Sequence, residues 1–343
     1  MAKKYKDKEF FWLNDMRFLA AIAVIFVHVS QGIMKLAPSK DSIIWWASNF
    51  YQVISYWAVP VFVMISGALL LNPKRVYISS KEFYKKRVRR LVPPIIFWSI
   101  VYIFWSMLKA RLTHTEYGFY EIVGQLIKGE PYYHMWYVYM VLGLYLITPY
   151  LRKIVINSTK KELLFISLFL ILISMIYYYI SPEKLEVPMF LLKSPFYIGY
   201  FILGYIIMDS KLKVPIYIYI FIFITTILIN LIGAYYIDNP YDLYNNFSPT
   251  MILTAVSLMF IIKSIHTSIP ISTHIREKLA SFSLGAYLIH PLILSIIKKF
   301  NYFNIDLQKY AFIAIPFFVL VITIVSLLIA YGFSKIKILQ RYI

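Results

Sequence analysis

The sequence predicts an all-α polytopic membrane protein, a bundle of about ten transmembrane helices with both termini in the cytoplasm. Three observations carry that prediction. Of 343 residues, 60% are hydrophobic and only 15% charged, against roughly 25% charged in an average soluble domain. Ten stretches are apolar enough to cross a bilayer, which takes about 20 mostly apolar residues. The 35 Lys and Arg fall unevenly between alternate connections, as the positive-inside bias requires.

In chain order the stretches lie at 10–30, 51–71, 91–108, 134–151, 163–180, 196–208, 214–237, 247–262, 279–297 and 310–333. The sixth is short and the eighth only modestly apolar. Barrel-type alternation of apolar and polar residues is missing, so the spans are helices. The first stretch is too long, and too polar at its start, for a cleaved signal peptide, and it lacks a small-residue cleavage site. With the N-terminus inside, the cytoplasmic segments hold 24 Lys and Arg, including Lys3, Lys4, Lys6, Lys8 and eight between 72 and 90, among them Lys74 and Arg75. Arg152, Lys153, Lys211, Lys213, Lys263, Arg276 and Lys278 belong to the same side. The outside segments hold ten, including Lys184, Lys193, Lys298 and Lys299. This asymmetry accounts for the net charge of +19 without nucleic acid as a partner.

The expected organisation is a single integral-membrane domain over 1–343 with no appended extracytoplasmic domain. No internal repeat is present, which weighs against an inverted-repeat transporter. The absence of cysteine excludes disulfides, cysteine–zinc sites and thiol nucleophiles. The six histidines show no HExxH spacing, so no metal is expected.

Ionisable residues inside spans are costly and therefore mark function. Arg17 and His28 share the first span, eleven residues apart, on one helical face and about 16 Å apart along the axis. Ala21 and Val24 lie between them. The bland alternative is that each snorkels to its own interface. Asp15 points to a nearly opposite face from Arg17, either paired with a cation or left at the interface. His134 opens the fourth span among Tyr132, Tyr133, Trp136 and Tyr137, where an interfacial aromatic belt is the competing reading. Ser283, Tyr287 and His290 share a face of the ninth span, and Pro291 removes the helical hydrogen bond to the Tyr287 carbonyl, favouring a kink. His290 could equally be a structural donor to a neighbouring helix. One outer cavity holding His28, His134 and His290 fits this topology.

The inner side differs in character. Lys86, Arg87 and Arg90 cluster on one helical face after Ser66, Gly67 and Asn72, and arginine grips phosphate in bidentate fashion. Positive-inside topology and anionic lipid give that cluster a simpler explanation. Ser66 lacks a GxSxG setting, so it reads better as a close-packing residue than as a nucleophile.

Phosphate-binding groups inside and candidate bases outside suit a phosphorylated cytoplasmic donor and an acceptor at the outer face. Coenzyme A fits, with phosphates at one end and an acyl group on a long thin arm. A neutral histidine would take the proton from an acceptor hydroxyl as it attacks the thioester, and a donor or cation near the carbonyl would hold the oxyanion.

The run from Asn14, Asp15, Met16 and Arg17 to His28 resembles the Arg-x10-His signature of the family-3 membrane acyltransferases. The segments 61–67 (VFVMISG), 83–90 (FYKKRVRR), 133–140 (YHMWYVYM) and 283–291 (SLGAYLIHP) resemble further motifs of that family, in its order, with the surface-polysaccharide O-acyltransferases as the closest branch. From 163 to 262 only hydropathy matches. The resemblance implies a ten-helix fold and transfer of an acyl group, often acetyl, from acyl-CoA to a sugar hydroxyl in a bacterial cell membrane. It implies His28 as general base and Arg17 as the residue that orients the donor or its arm. Arg87 and Arg90, with Lys86 and Ser66, fall on the donor side. His134, Trp136, Tyr137, Tyr287 and His290 fall on the acceptor side. The implied partners are acyl-CoA (acetyl-CoA in the first instance), a glycan or lipid-linked sugar and membrane lipids, with an oligomer possible.

Two rivals make different predictions. A transporter or flippase for a glycan or lipid-linked sugar would move substrate without an acyl donor. A membrane scaffold would tolerate joint replacement of Arg17 and His28.

Overall fold

Side-chain caps start several of the helices, and apolar faces carry them across. The computed structural model describes residues 11–73, 79–181, 189–211, 214–265 and 272–343. Phe10, the lysines at 3, 4, 6 and 8, and Lys74, Arg75, Lys184 and Lys213 lie outside the described residues. Every regular element among the described residues is helical.

Helix α1 is Phe11–Met34. Helix α2, Ile43–Val53, begins where the Ser42 hydroxyl accepts from the Trp45 amide at 3.2 Å, and with α3, Ala58–Leu70, makes one crossing that starts earlier than hydropathy placed it. Helix α4, Ser80–Thr113, is capped by Ser79. It carries the basic segment and the expected third span as one rod, with Pro93 and Pro94 inside it. The amphipathic α5, Phe119–Lys128, ends at Gly129 in the left-handed region (φ +70°), where glycine carries no Cβ penalty. It occupies what hydropathy left as an outside connection. Helices α6, Trp136–Asn157, and α7, Lys160–Ile180, follow, the second opened by a Thr159/Glu162 capping box. A 3-10 segment, Phe190–Tyr197, runs into α8, Ile198–Asp209. The remaining helices longer than four residues are α9, Ile216–Tyr236, α10, Pro249–Ile265, α11, Thr273–Lys299, and α12, Leu307–Lys335.

Nine crossings among the described residues are long and apolar enough to span a bilayer. The eighth expected span is α10, 17 residues or about 25 Å long. It is nevertheless a full hairpin partner of α9. Thr226 and Thr254 hydroxyls meet at 2.8 Å, and Thr250 donates to Asn230 at 2.6 Å, so the two helices run antiparallel. The polar residues that weaken its hydropathy, Thr254 and Ser257, are both buried, Thr254 on that seam.

The chain divides into two units, Met1–Ile65 with Ser210–Gly332, and Ser66–Asp209 with Phe333–Ile343. The first unit has an apolar core in which Val29 and Ile33 of α1 meet Leu294 of α11 and Phe318 of α12. Along α12, Ile313, Phe317, Leu320, Ile324 and Leu328 form an exposed stripe at helical spacing, the face a bilayer would cover. In the second unit Gly67 brings α3 against α8. A Cβ there would lie 1.7 Å from the Phe201 carbonyl oxygen.

Candidate active site

The site is built on α1 and α11 of the first unit, which pack along their lengths. Asp15 meets Arg276, His28 meets His290, and Gly32 meets Lys298. Both numbers rise together, so the helices are parallel, as a ten-span reading requires of its first and ninth. The face between Arg17 and His28 carries the buried Ala21 and Val24, small enough for this close approach.

His290 is fully buried, and its Nδ1 lies 2.6 Å from the Tyr287 carbonyl oxygen. A carbonyl only accepts, so Nδ1 is the protonated nitrogen and donates. Pro291 deprives that same carbonyl of its helical donor, and the imidazole takes the vacated place. The ring so fixed stacks on His28, centroids 5.4 Å apart and planes within 20°. Tyr287 lies 5.8 Å from the His290 ring and meets Phe62 edge-on at 6.5 Å. Ser283, on the same face, is spent within its helix on the Leu279 carbonyl at 3.2 Å.

His28 is partly buried. Gln31, a turn further along α1, hydrogen-bonds its ring and donates from Nε2 to the Tyr56 hydroxyl at 2.7 Å. Lys298 is close enough to act on His28 electrostatically. The site therefore offers an oriented imidazole pair, a side-chain amide, a phenol and an ammonium group. Such a set can remove a proton from a hydroxyl and stabilise negative charge beside it.

Arg17 is partly buried. Of the two readings of Asp15, the structure chooses the pair. Arg276 Nη1 donates to Asp15 Oδ2 at 2.9 Å, with side-chain exposures of 7% and 12%. Sequence reading had assigned Arg276 to a cytoplasmic connection. Ser272 caps α11 by accepting from the Ile275 amide at 3.3 Å, which places Arg276 in the first helical turn. A cation there opposes the helix dipole, and the Asp15 carboxylate offsets it.

The second unit holds the basic cluster in a different grouping. Arg87 lies over the Phe83 and Tyr145 rings at 5.4 and 5.7 Å, while Arg90 is exposed and Lys86 pairs at 3.8 Å with Glu82 of its own helix. Arg152, unsuspected from sequence beyond its topology, stacks on the same Phe83 at 5.1 Å and donates to the Leu70 carbonyl at 2.5 Å. It lines a pocket with Asn72, Ser79, Phe83 and Lys153. Ser66 is partly buried beside the close-packed Gly67.

His134 also belongs to the second unit. It precedes α6 and is buried edge-on against Tyr102 at 4.8 Å, itself stacked on Tyr132 at 4.6 Å. Trp136 faces Lys193 and Tyr197 at 5.7 and 6.0 Å, and Tyr137 is buried. Of the three histidines expected in one cavity, the first unit brings His28 and His290 together. Among the described residues, no group of three or more metal-ligating side chains converges.

A protein-family model described as an acyltransferase domain matches residues 10–335. No curated protein and no solved structure matches the chain.

Proposed function

The chain belongs to that acyltransferase family, and from this membership we propose that it carries an acyl group, acetyl in the first instance, from cytoplasmic acyl-CoA to a hydroxyl of a cell-surface or lipid-linked glycan in a bacterial cell membrane. The surface-polysaccharide O-acyltransferase branch is part of the same proposal. The single observation that carries it is the His28–His290 stack with its anchored second ring.

In this reading His28 is the general base. It takes the proton of the acceptor hydroxyl as the oxygen bonds to the thioester carbonyl carbon. The carbonyl pair moves onto oxygen, then returns as the C–S bond breaks, and the proton passes from His28 to the departing thiolate. His290 and Tyr287 orient the base and face the acceptor, together with His134, Trp136 and Tyr137. Arg17 guides the donor arm. Arg87, Arg90, Lys86 and Ser66 hold its phosphate end, and the Arg87–Arg152 grouping around Phe83 supports that role, since paired guanidinium groups favour a phosphate.

Calorimetry with acetyl-CoA and free CoA tests it, combined with release of free thiol from acetyl-CoA. Wild type should bind, and should release thiol when membranes carrying the glycan acceptor are supplied. His28→Ala should bind equally and release none, and Arg87→Ala should bind more weakly. Folded wild type that binds no CoA at millimolar concentration would remove the donor and with it the reading.

A further inference from the structure

Three helices of the second unit enclose a pocket where α3 and α6 end and α4 begins. Asn72 borders it just after α3, Ser79 and Ser80 at the start of α4, and Arg152 and Lys153 near the end of α6. The space is about 560 Å³ with its open mouth counted, so a charged group can enter while still attached to a larger molecule.

The cations in it are available. Arg152 spends Nε on the Leu70 carbonyl and sits over the Phe83 ring at 5.1 Å. These two anchors hold the guanidinium, while its Nη groups make no hydrogen bond or ion pair among the described residues. Lys153 is exposed, with its ammonium 5.9 Å from the Tyr150 ring and in no ion pair among the described residues. No Asp or Glu lines the pocket. Glu82, the acidic residue in the first turn of α4, lies 3.8 Å from Lys86 instead. The first-turn amides of Ser80 and Lys81 lack helical acceptors and add to the positive potential. The pocket thus offers two positive charges and a fixed guanidinium fork, which matches phosphate geometry. A phosphomonoester carries a charge of about −1.5 to −2 at neutral pH, whereas a diester carries a single one, so two cations favour the monoester.

We propose that this pocket receives a phosphomonoester, the 3′-phosphate on the ribose of coenzyme A, and that it selects the donor by that group. On coenzyme A only this phosphate is a monoester; the pyrophosphate is left to the basic cluster of α4. The donor class is thereby the thioester of intact coenzyme A, rather than that of dephospho-CoA or of phosphopantetheine on a carrier protein, neither of which has the 3′-phosphate. The proposal rests on the acyl-CoA reading.

Calorimetry on full-length protein in phosphatidylcholine nanodiscs tests it, with CoA and dephospho-CoA as the probes. Wild type should bind CoA at least tenfold more tightly than dephospho-CoA. Arg152→Gln should bring that ratio close to one. Lys153→Gln should cut it at least threefold, and being an exposed position it covers the case in which Arg152→Gln fails to fold. Lys85→Gln removes an exposed cation of α4 that does not line the pocket, and should leave the ratio unchanged. A wild-type ratio near one overturns the subsite, as does a ratio that Lys153→Gln leaves intact or that Lys85→Gln lowers equally. In discs containing phosphatidic acid, a lipid phosphomonoester, the preference for CoA should persist. Its loss there assigns the pocket to lipid headgroups and also overturns the proposal. Equal binding of both probes strikes the subsite and leaves the acyl-CoA reading standing, whereas binding of neither removes both.

Discussion

The Nδ1 of His290 occupies the hydrogen-bonding position on the Tyr287 carbonyl that Pro291 leaves open, 2.6 Å away. A helix-breaking residue thus sets the tautomer and plane of the ring beneath His28. Pro291→Ala restores a backbone N–H that competes for the same oxygen. The expected outcome is a split. Stability rises, since proline inside a helix costs about 3 kcal/mol, while the transfer rate falls about tenfold, the rate change that 1.4 kcal/mol of barrier gives. Melting temperature and initial rate on one preparation check it, and an unchanged rate would dismiss the orienting role.

Asp15 and Arg276 are almost wholly withdrawn from solvent, so removing either charge takes a buried ion-pair partner from the other. Asp15→Leu or Arg276→Met alone should cost about 3 kcal/mol, whereas the double variant should regain most of that. Thermal melts of the three variants in one detergent decide it. Equal loss in single and double variants would mean that the pair is not the source of the effect.

If the Arg87–Arg152 grouping holds donor phosphates, Arg152→Lys should raise KM for acyl-CoA about tenfold with kcat nearly unchanged. Lysine keeps the charge but loses the bidentate fork, and a pure KM effect reports binding lost equally from ground and transition states. A drop in kcat at constant KM would place Arg152 elsewhere in the cycle.

Gly67 and Gly332 should respond oppositely to alanine. At Gly67 the new methyl would fall on the Phe201 carbonyl, backbone that cannot swing aside, whereas at Gly332 it meets nothing within 4 Å. Gly67→Ala should yield little folded protein. Gly332→Ala should be neutral or stabilising by up to about 1 kcal/mol, the helix-propensity difference. Size-exclusion profiles and melting temperatures separate the two.

Hydropathy made the spans legible because lipid-facing helices must be apolar whatever they do. The Arg17–His28 stripe was legible too, since spacing within one helix fixes a face. What remained hidden was lateral pairing. Asp15 and Arg276 are 261 residues apart, and no local pattern in α11 marks Arg276 as a partner of α1. Lys298 read as outside charge for the same reason, and nothing local in the sequence singled out Gln31. Arg152 was hidden among the positive-inside charges, which topology alone explains. Helix α10 was weak in hydropathy because Thr254, which meets Thr226 of α9, and Ser257 are buried inside the protein.

The parallel pairing of α1 with α11 also imposes an order on biosynthesis. The first span enters the bilayer carrying Asp15, Arg17 and His28, and the helix that supplies Arg276 and His290 leaves the ribosome only after more than two hundred further residues. Until then the nascent chain holds ionisable groups without their final neighbours, exposed to whatever the insertion machinery offers. The polar seam can close only late, once α11 has been made. A chain arrested before α11 would have most of its crossings in place and neither its buried ion pair nor its histidine stack.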